Sequence, residues 1–189
     1  MKVFKKSVLF CLFFVINRTE AQSRFAIAPV VGFIQGNITS RNSFLNPASH
    51  DRGYGPLVGI LGYYSFTSKW SVSTGVNYHQ IHLKPNEKIE KRGYWNVPIL
   101  LNYKAIHHTF APYFSVGTII ATPSTYRPNP STSLDIILGT GLLYKPNSRV
   151  SWIIQPQYQK EVIPRPSNFI PTNYQSYKIS VQLQALFQL

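Results

Sequence analysis

Between Gly93 and Lys104 the chain reads GYWNVPILLNYK. At a period of two, Trp95, Val97, Ile99, Leu101 and Tyr103 share one face. Asn96, Pro98, Leu100, Asn102 and Lys104 share the other. The first face is apolar throughout and ends in aromatics, while the second carries two amides and an amine. Side chains on a strand point alternately to opposite sides, so this pattern predicts a strand that divides an apolar environment from a polar one. A packed core could supply the apolar side. So could lipid, with an aromatic near each interface.

The same alternation recurs along the chain and predicts eight strands. In Phe25–Gln35, the least regular, Phe25, Ile27, Val31 and Phe33 oppose Ala26, Ala28, Val30 and Gly32. In Leu57–Phe66, Val58, Ile60, Tyr64 and Phe66 oppose Gly59, Leu61, Tyr63 and Ser65. In Trp70–His82, Trp70, Val72, Thr74, Val76 and Tyr78 oppose Ser71, Ser73, Gly75, Asn77 and His79. Gly93–Lys104 is the fourth. In Phe110–Ile120, Pro112, Phe114, Val116, Thr118 and Ile120 oppose Tyr113, Ser115, Gly117 and Ile119. In Leu134–Tyr144, Leu134, Ile136, Leu138, Leu142 and Tyr144 oppose Asp135, Ile137, Gly139, Gly141 and Leu143. In Val150–Gln159, Val150, Trp152, Ile154 and Tyr158 oppose Ser151, Gln155, Gln157 and Gln159. In Tyr177–Leu189, Tyr177, Ile179, Val181, Leu183, Ala185, Phe187 and Leu189 oppose Lys178, Ser180, Gln182, Gln184 and Leu186.

The connections alternate in length. Thr67–Lys69, Ala105–Thr109 and Lys145–Arg149 read as tight turns. Gln35–Pro56, Leu83–Arg92, Ala121–Ser133 and Lys160–Ser176 read as long connections rich in Pro, Asn, Ser and charge. Segments of about ten residues joined in this way predict an eight-stranded antiparallel up-and-down β-barrel of the outer-membrane kind. The bulky apolar face would then meet lipid and the Ser, Gly, Asn and Gln face the lumen. A soluble ligand-binding barrel would invert the pattern. Closure satisfies every backbone group, as lipid requires.

The N-terminus supports export. Lys2, Lys5 and Lys6 precede the apolar Val8–Ile16, which is too short to span a bilayer, and Thr19 and Ala21 are small residues placed before a cleavage point. The expected division is a cleaved signal peptide at 1–21 and a barrel domain at 22–189. Cleavage removes Lys2, Lys5, Lys6, Arg18 and Glu20, which leaves 15 basic and 5 acidic residues, a net of +10. Nucleic acid is an unsuitable partner for an exported protein, so the natural counter-charges are envelope phosphates. The single cysteine, Cys11, lies in the leader, so the mature chain has no disulfide or thiolate metal cluster.

Tyr94, Val97, Pro98, Ile99, Leu100, Leu101 and Tyr103, followed by Pro112, Tyr113 and Gly117, resemble the outer membrane protein β-barrel domain called PorT-like, of Bacteroidota. The resemblance implies an outer-membrane location. It implies no shared catalytic residues, and it raises a role in secretion. Many outer-membrane barrels end in an aromatic residue; this chain ends Phe187-Gln188-Leu189.

No residue is assigned a catalytic, cofactor-binding or metal-binding role. His107 and His108 are adjacent in a turn without a nearby carboxylate. His79 points inward and His82 outward, so the two cannot act together, and no Ser or Glu partner is identifiable for a deacylase of the PagL type. Lys104, Asp135 and Lys178 face the lumen, where they could form a charged constriction or a satisfied interior network. Their places near the rims favour solvation. Pro98 and Pro112 predict bulges or breaks in the ladder. The loop Lys84–Arg92 brings Lys84, Lys88, Lys91 and Arg92 together and, with Arg41, Arg52, Arg127 and Arg165, makes the long-loop rim cationic. Lipid, lipopolysaccharide phosphates, an envelope protein and, during biogenesis, the barrel assembly machinery are the expected partners. The first functional expectation is a non-enzymatic envelope module with a filled lumen. The second is a small pore or secretion-associated barrel, and the third an enzyme acting on lipid A.

Overall fold

A computed structural model describes residues 24–41, 49–83, 90–105, 109–124, 132–146, 149–163 and 173–189. The expected leader and cleavage point lie outside them. The strands are β1 (Phe25–Arg41), β2 (Ser49–Ser65), β3 (Trp70–Leu83), β4 (Glu90–Lys104), β5 (Phe110–Pro123), β6 (Ser133–Tyr144), β7 (Val150–Ile163) and β8 (Asn173–Gln188). Each pairs antiparallel with its sequence neighbour, and β8 returns to β1 (Phe33 opposite Val181) to close the barrel.

The barrel is turned as the alternation predicts. Trp95, Val97, Ile99 and Leu101 are exposed on the outer wall, while Asn96, Pro98, Leu100 and Asn102 are buried inside. The outer wall is banded. Toward the short turns lie the ring pairs Phe25–Tyr64, Trp70–Tyr103 and Phe110–Tyr144, at 5.0, 5.0 and 4.6 Å. Toward the long connections lie Phe33–Tyr54, Tyr78–Trp95 and Tyr158–Tyr177. Val58, Ile60, Val72, Val76, Val116, Leu138, Ile154, Val181 and Leu183 fill the belt between. Trp70 and Tyr78 are eight residues apart on one strand; at about 3.3 Å per residue and a tilt near 40°, the girdles stand about 20 Å apart. That is close to the height of an outer-membrane apolar band.

Several expected boundaries move. The connection expected over Gln35–Pro56 is mostly strand: pairing continues from Gln35 opposite Tyr54 to Ser40 opposite Ser49. Gly53 and Gly55 make this stretch look like a loop. In the barrel both are buried, and at Gly55 the strands approach closely: a Cβ there would stand 1.6 Å from the Gln80 carbonyl oxygen. The other long connections also shorten, because β4, β5, β7 and β8 run past their expected ends. Phe66 lies in the turn after β2, and Ala185, on the outer face opposite Trp152, is buried.

Neither proline makes a bulge, but Pro98 does mark the expected local break in the ladder. Pro98 stays in register with Ile119 on β5. On the β3 side pairing lapses between Thr74 opposite Ile99 and Asn77 opposite Asn96, then resumes unshifted. Pro112 pairs with Leu142 on β6 and lies beyond the last β4–β5 pair. A proline has no N–H, but a barrel with continuous pairing on one flank holds its register across the missing bond on the other. The recorded register shift lies elsewhere: Leu134 faces Ile163 and Asp135 faces Glu161, so Val162 is the extra residue.

Candidate functional site

The inward face is where this chain concentrates its chemistry. Its lower half, toward the short turns, holds a string of amides drawn from facing strands. Tyr63 on β2 donates to Gln184 on β8, whose amide donates at 3.4 Å to Gln182. Gln182 donates at 2.7 Å to Gln157 on β7, Gln157 at 2.9 Å to Gln155, and Gln155 at 2.7 Å to Ser115 on β5. Beside it Asn102 donates at 2.9 Å to Ser73. These groups are buried, so each bond also removes a desolvation penalty. The cavity at the short-turn mouth, lined by Tyr63, Ser71, Lys104, Tyr113, Leu186 and Gln188 among others, measures about 10 Å³, room for roughly one water.

The upper half is ionic and aromatic. Lys178 Nζ lies 2.7 Å from Asp135 Oδ2, with the two side chains only 8% and 1% exposed. The expectation of rim solvation for this pair is therefore corrected: β6 and β8 extend beyond these residues and enclose them, and the charges satisfy each other inside the wall. Lys178 Nζ also stands 6.0 Å from the centre of the Tyr94 ring, at the edge of cation–π range. Tyr94 stacks on His79 at 5.1 Å. Asn96 Nδ2 lies 2.8 Å from His79 Nδ1, within hydrogen-bond distance. The result is a chain of contacts that crosses the lumen from β3 to β6. Asp135 Oδ1, Gln159 Oε1, Ser133 Oγ and Ser180 Oγ are buried around it without a protein partner among the described residues, and trapped water is the usual partner for such groups.

The remaining sequence candidates fall apart in space. His79 is fully buried inside and His82 lies on the other parity, half-exposed. Lys104 is half-buried at the short-turn mouth, far from Asp135 and Lys178. Lys91 is exposed and Arg92 half-buried at the start of β4, and Arg52 is exposed on β2. Lys84, Lys88, His107, His108, Arg127 and Arg165 lie outside the described residues, and Arg41 falls in β1 where only the backbone is described. Among the described residues no group of three His, Cys, Asp or Glu side chains could hold a metal. Sequence reasoning missed Tyr94 as a lumen residue, although it shares the parity of Asn96 and is buried.

On the outer wall a shallow groove of about 680 Å³ runs between Trp70, Leu101, Phe114, Leu138, Tyr158 and Ile179. Thr140 and Pro156 form part of its lining. All six flanking side chains are apolar or aromatic, as a lipid-facing depression requires.

A closed eight-stranded antiparallel barrel with an apolar girdled wall is the class of the small bacterial outer-membrane barrels. Neisserial surface protein A superposes with a TM-score of 0.53 at 14% identity, covering 90% of this chain and 100% of that one. The N-terminal barrel domain of Pseudomonas aeruginosa OprF gives 0.51 at 11% identity, covering 88% and 100%. The outer membrane enzyme PagL gives 0.45 at 11% identity, covering 83% and 97%. No family model matches the chain, and no curated protein matches it. The likeness is one of fold.

Proposed function

We propose that the protein is a non-enzymatic bacterial outer-membrane barrel, a structural or interaction module of the envelope. Its long connections would face outward and its short turns the periplasm. The observation that carries this reading is the pairing of an apolar outer wall with a lumen already filled by bonded side chains. An eight-stranded interior is just wide enough for its own residues, and here Tyr63, Tyr113, Leu61, Leu100 and Ile137 occupy it. The amide string and the Lys178–Asp135 pair bond across it, which weighs against a pore. His79 is buried, held by Asn96 and stacked on Tyr94, which weighs against a nucleophile–base pair on the wall.

The relation to PorT-like barrels belongs to this proposal and rests on Tyr94–Gly117. So does contact of the long-loop rim with lipopolysaccharide phosphates, supported by exposed Lys91 and the neighbouring Arg92. The test is conduction. Purified protein in planar bilayers is expected to show no steady solute-sized conductance. Reproducible open-channel steps, altered by Tyr63→Ala, would overturn the filled-lumen reading in favour of a pore.

A further inference from the structure

Prolines interrupt the ladder on the outer wall as well as inside it. Between β6 and β7 pairing lapses after Gly139 opposite Gln157 and resumes unshifted at Leu142 opposite Ile154, so by count Thr140 falls opposite Pro156. The strand ends fix which way the backbone groups point: Lys145 N–H donates to the Thr109 carbonyl, and Gln188 N–H to the Arg149 carbonyl. Backbone groups alternate sides along an antiparallel strand. Odd-numbered residues of β6 therefore bond to β5 and even-numbered ones to β7, while even-numbered residues of β7 bond to β6. Thr140 and Pro156 would exchange both bonds, but proline has no N–H to give. The Thr140 carbonyl is left without its ladder donor, and the exposed Thr140 side chain places a hydroxyl beside it.

This polar spot lies in the outer groove of about 680 Å³. Thr140 and Pro156 are exposed and smaller than Leu138 and Tyr158 beside them, so the wall dips there. Thr140 is four residues from Tyr144 along β6, about 10 Å above that girdle at about 3.3 Å per residue and a tilt near 40°. That is the middle of the apolar belt, away from headgroups and water on both sides. Ordinary acyl chains suit such a groove but bring no donor, and an unpaired carbonyl is costly in hydrocarbon. The register says how far along an occupant its donor must lie. Trp70, Tyr103, Phe114 and Thr140 stand opposite one another in turn from β3 to β6. Three strand spacings of about 4.8 Å put Thr140 about 14 Å from the Trp70 end of the groove. Trp70 sits at headgroup level, and exposed Lys69 is its chain neighbour. A carboxylate at that end and a hydroxyl well down the chain match both places.

We infer that the groove binds a free long-chain fatty acid bearing a mid-chain hydroxyl, which donates to the Thr140 carbonyl and accepts from the Thr140 hydroxyl. This rests on the outer wall facing lipid, and the test separates the two. The mature chain with Trp70 as its only tryptophan (Trp95→Phe, Trp152→Phe) is folded into phosphatidylcholine vesicles containing dibromostearate, which quenches Trp70 from the groove. Stearate, or stearate hydroxylated at mid-chain, is then added to restore the emission. The hydroxylated acid is expected to act at about tenfold lower mole fraction, the ratio of one hydrogen bond made away from water. Pro156→Ala gives the carbonyl an N–H, so the preference should fall to about unity while stearate displaces as before. Thr140→Val should leave an intermediate preference. Equal displacement by the two acids, or none by either, would overturn the inference, as would a preference undiminished in Pro156→Ala. Displacement by the methyl ester of the hydroxylated acid as strong as by the acid itself would overturn the free acid as the occupant. Failure of brominated phosphatidylcholine to quench Trp70 would refute the membrane reading itself.

Discussion

Removing one partner of the Lys178–Asp135 pair should be far worse than removing both. The ions are 2.7 Å apart and almost fully enclosed. Breaking a buried pair from one side typically costs about 3–5 kcal/mol, because it strands the other charge, whereas replacing both with apolar side chains is often neutral. Lys178→Met leaves the Asp135 carboxylate with no cation at bonding distance, since Oδ1 has no protein partner; a loss near 4 kcal/mol is expected. Asp135→Leu strands an ammonium that retains only the Tyr94 ring at 6.0 Å. At that distance the ring offsets about 0.5–1 kcal/mol, so a loss near 3 kcal/mol is expected. The double variant should lie within about 1 kcal/mol of wild type, giving a coupling of several kcal/mol in the cycle. Guanidinium unfolding in phosphatidylcholine vesicles, followed by tryptophan emission and by gel mobility of unheated samples, measures all four proteins. Single variants that each cost less than 1 kcal/mol would show that water reaches the pair and that the outer lumen is open.

Two further substitutions test the wall. Val181 is half-exposed in the middle of the lipid belt, so Val181→Arg should cost about 2–4 kcal/mol in bilayers, while Val181→Leu stays near wild type; equal stability of the two would place this face in water. A Cβ on Gly117 would meet the Ile99 carbonyl oxygen at 2.0 Å and Leu100 Cα at 2.9 Å, whereas one on outward Gly62 meets nothing nearer than 3.8 Å. Gly117→Ala should therefore cost about 3 kcal/mol or prevent folding, the upper end for overpacking, and Gly62→Ala should stay within about 0.5 kcal/mol; a harmless Gly117→Ala in the same unfolding assay would refute the close approach of β4 and β5.

The architecture was legible because lipid demands an unbroken stripe. Trp95, Val97, Ile99, Leu101 and Tyr103 mark one continuous apolar face, and a one-residue slip would turn Asn96 and Asn102 onto it. The ends of the strands were less legible. Beyond the belt the outward positions no longer need to be apolar, so Arg52 follows the same parity as Tyr54 and Val58 without announcing it. Glycine is ambiguous for a related reason: at Gly55 it marks crowding between strands, while glycine in sequence equally signals a turn. Inside, parity identified which amides face the lumen, but not which would bond. That depends on how far β7 and β8 are staggered: the register sets Gln182 opposite Gln155, and its amide reaches diagonally to Gln157. The burial of Lys178 and Asp135 escaped for the same reason, because strand overhang decides it and composition does not encode overhang.

Every link in the amide string of the lower lumen runs the same way, with Tyr63 giving to Gln184, then Gln182, Gln157, Gln155 and Ser115 in turn. Each glutamine is at once the receiver of one proton and the giver of another. Turning a single amide over would set two oxygens or two NH₂ groups face to face, a defect that could heal only by travelling to one end of the row. The row therefore has a polarity, anchored at one end by a phenol and at the other by a serine, and it can reverse only as a unit. Slow, collective exchange of these side-chain amides, rather than independent flickering of each, follows from a lumen too tight to let any one of them turn alone.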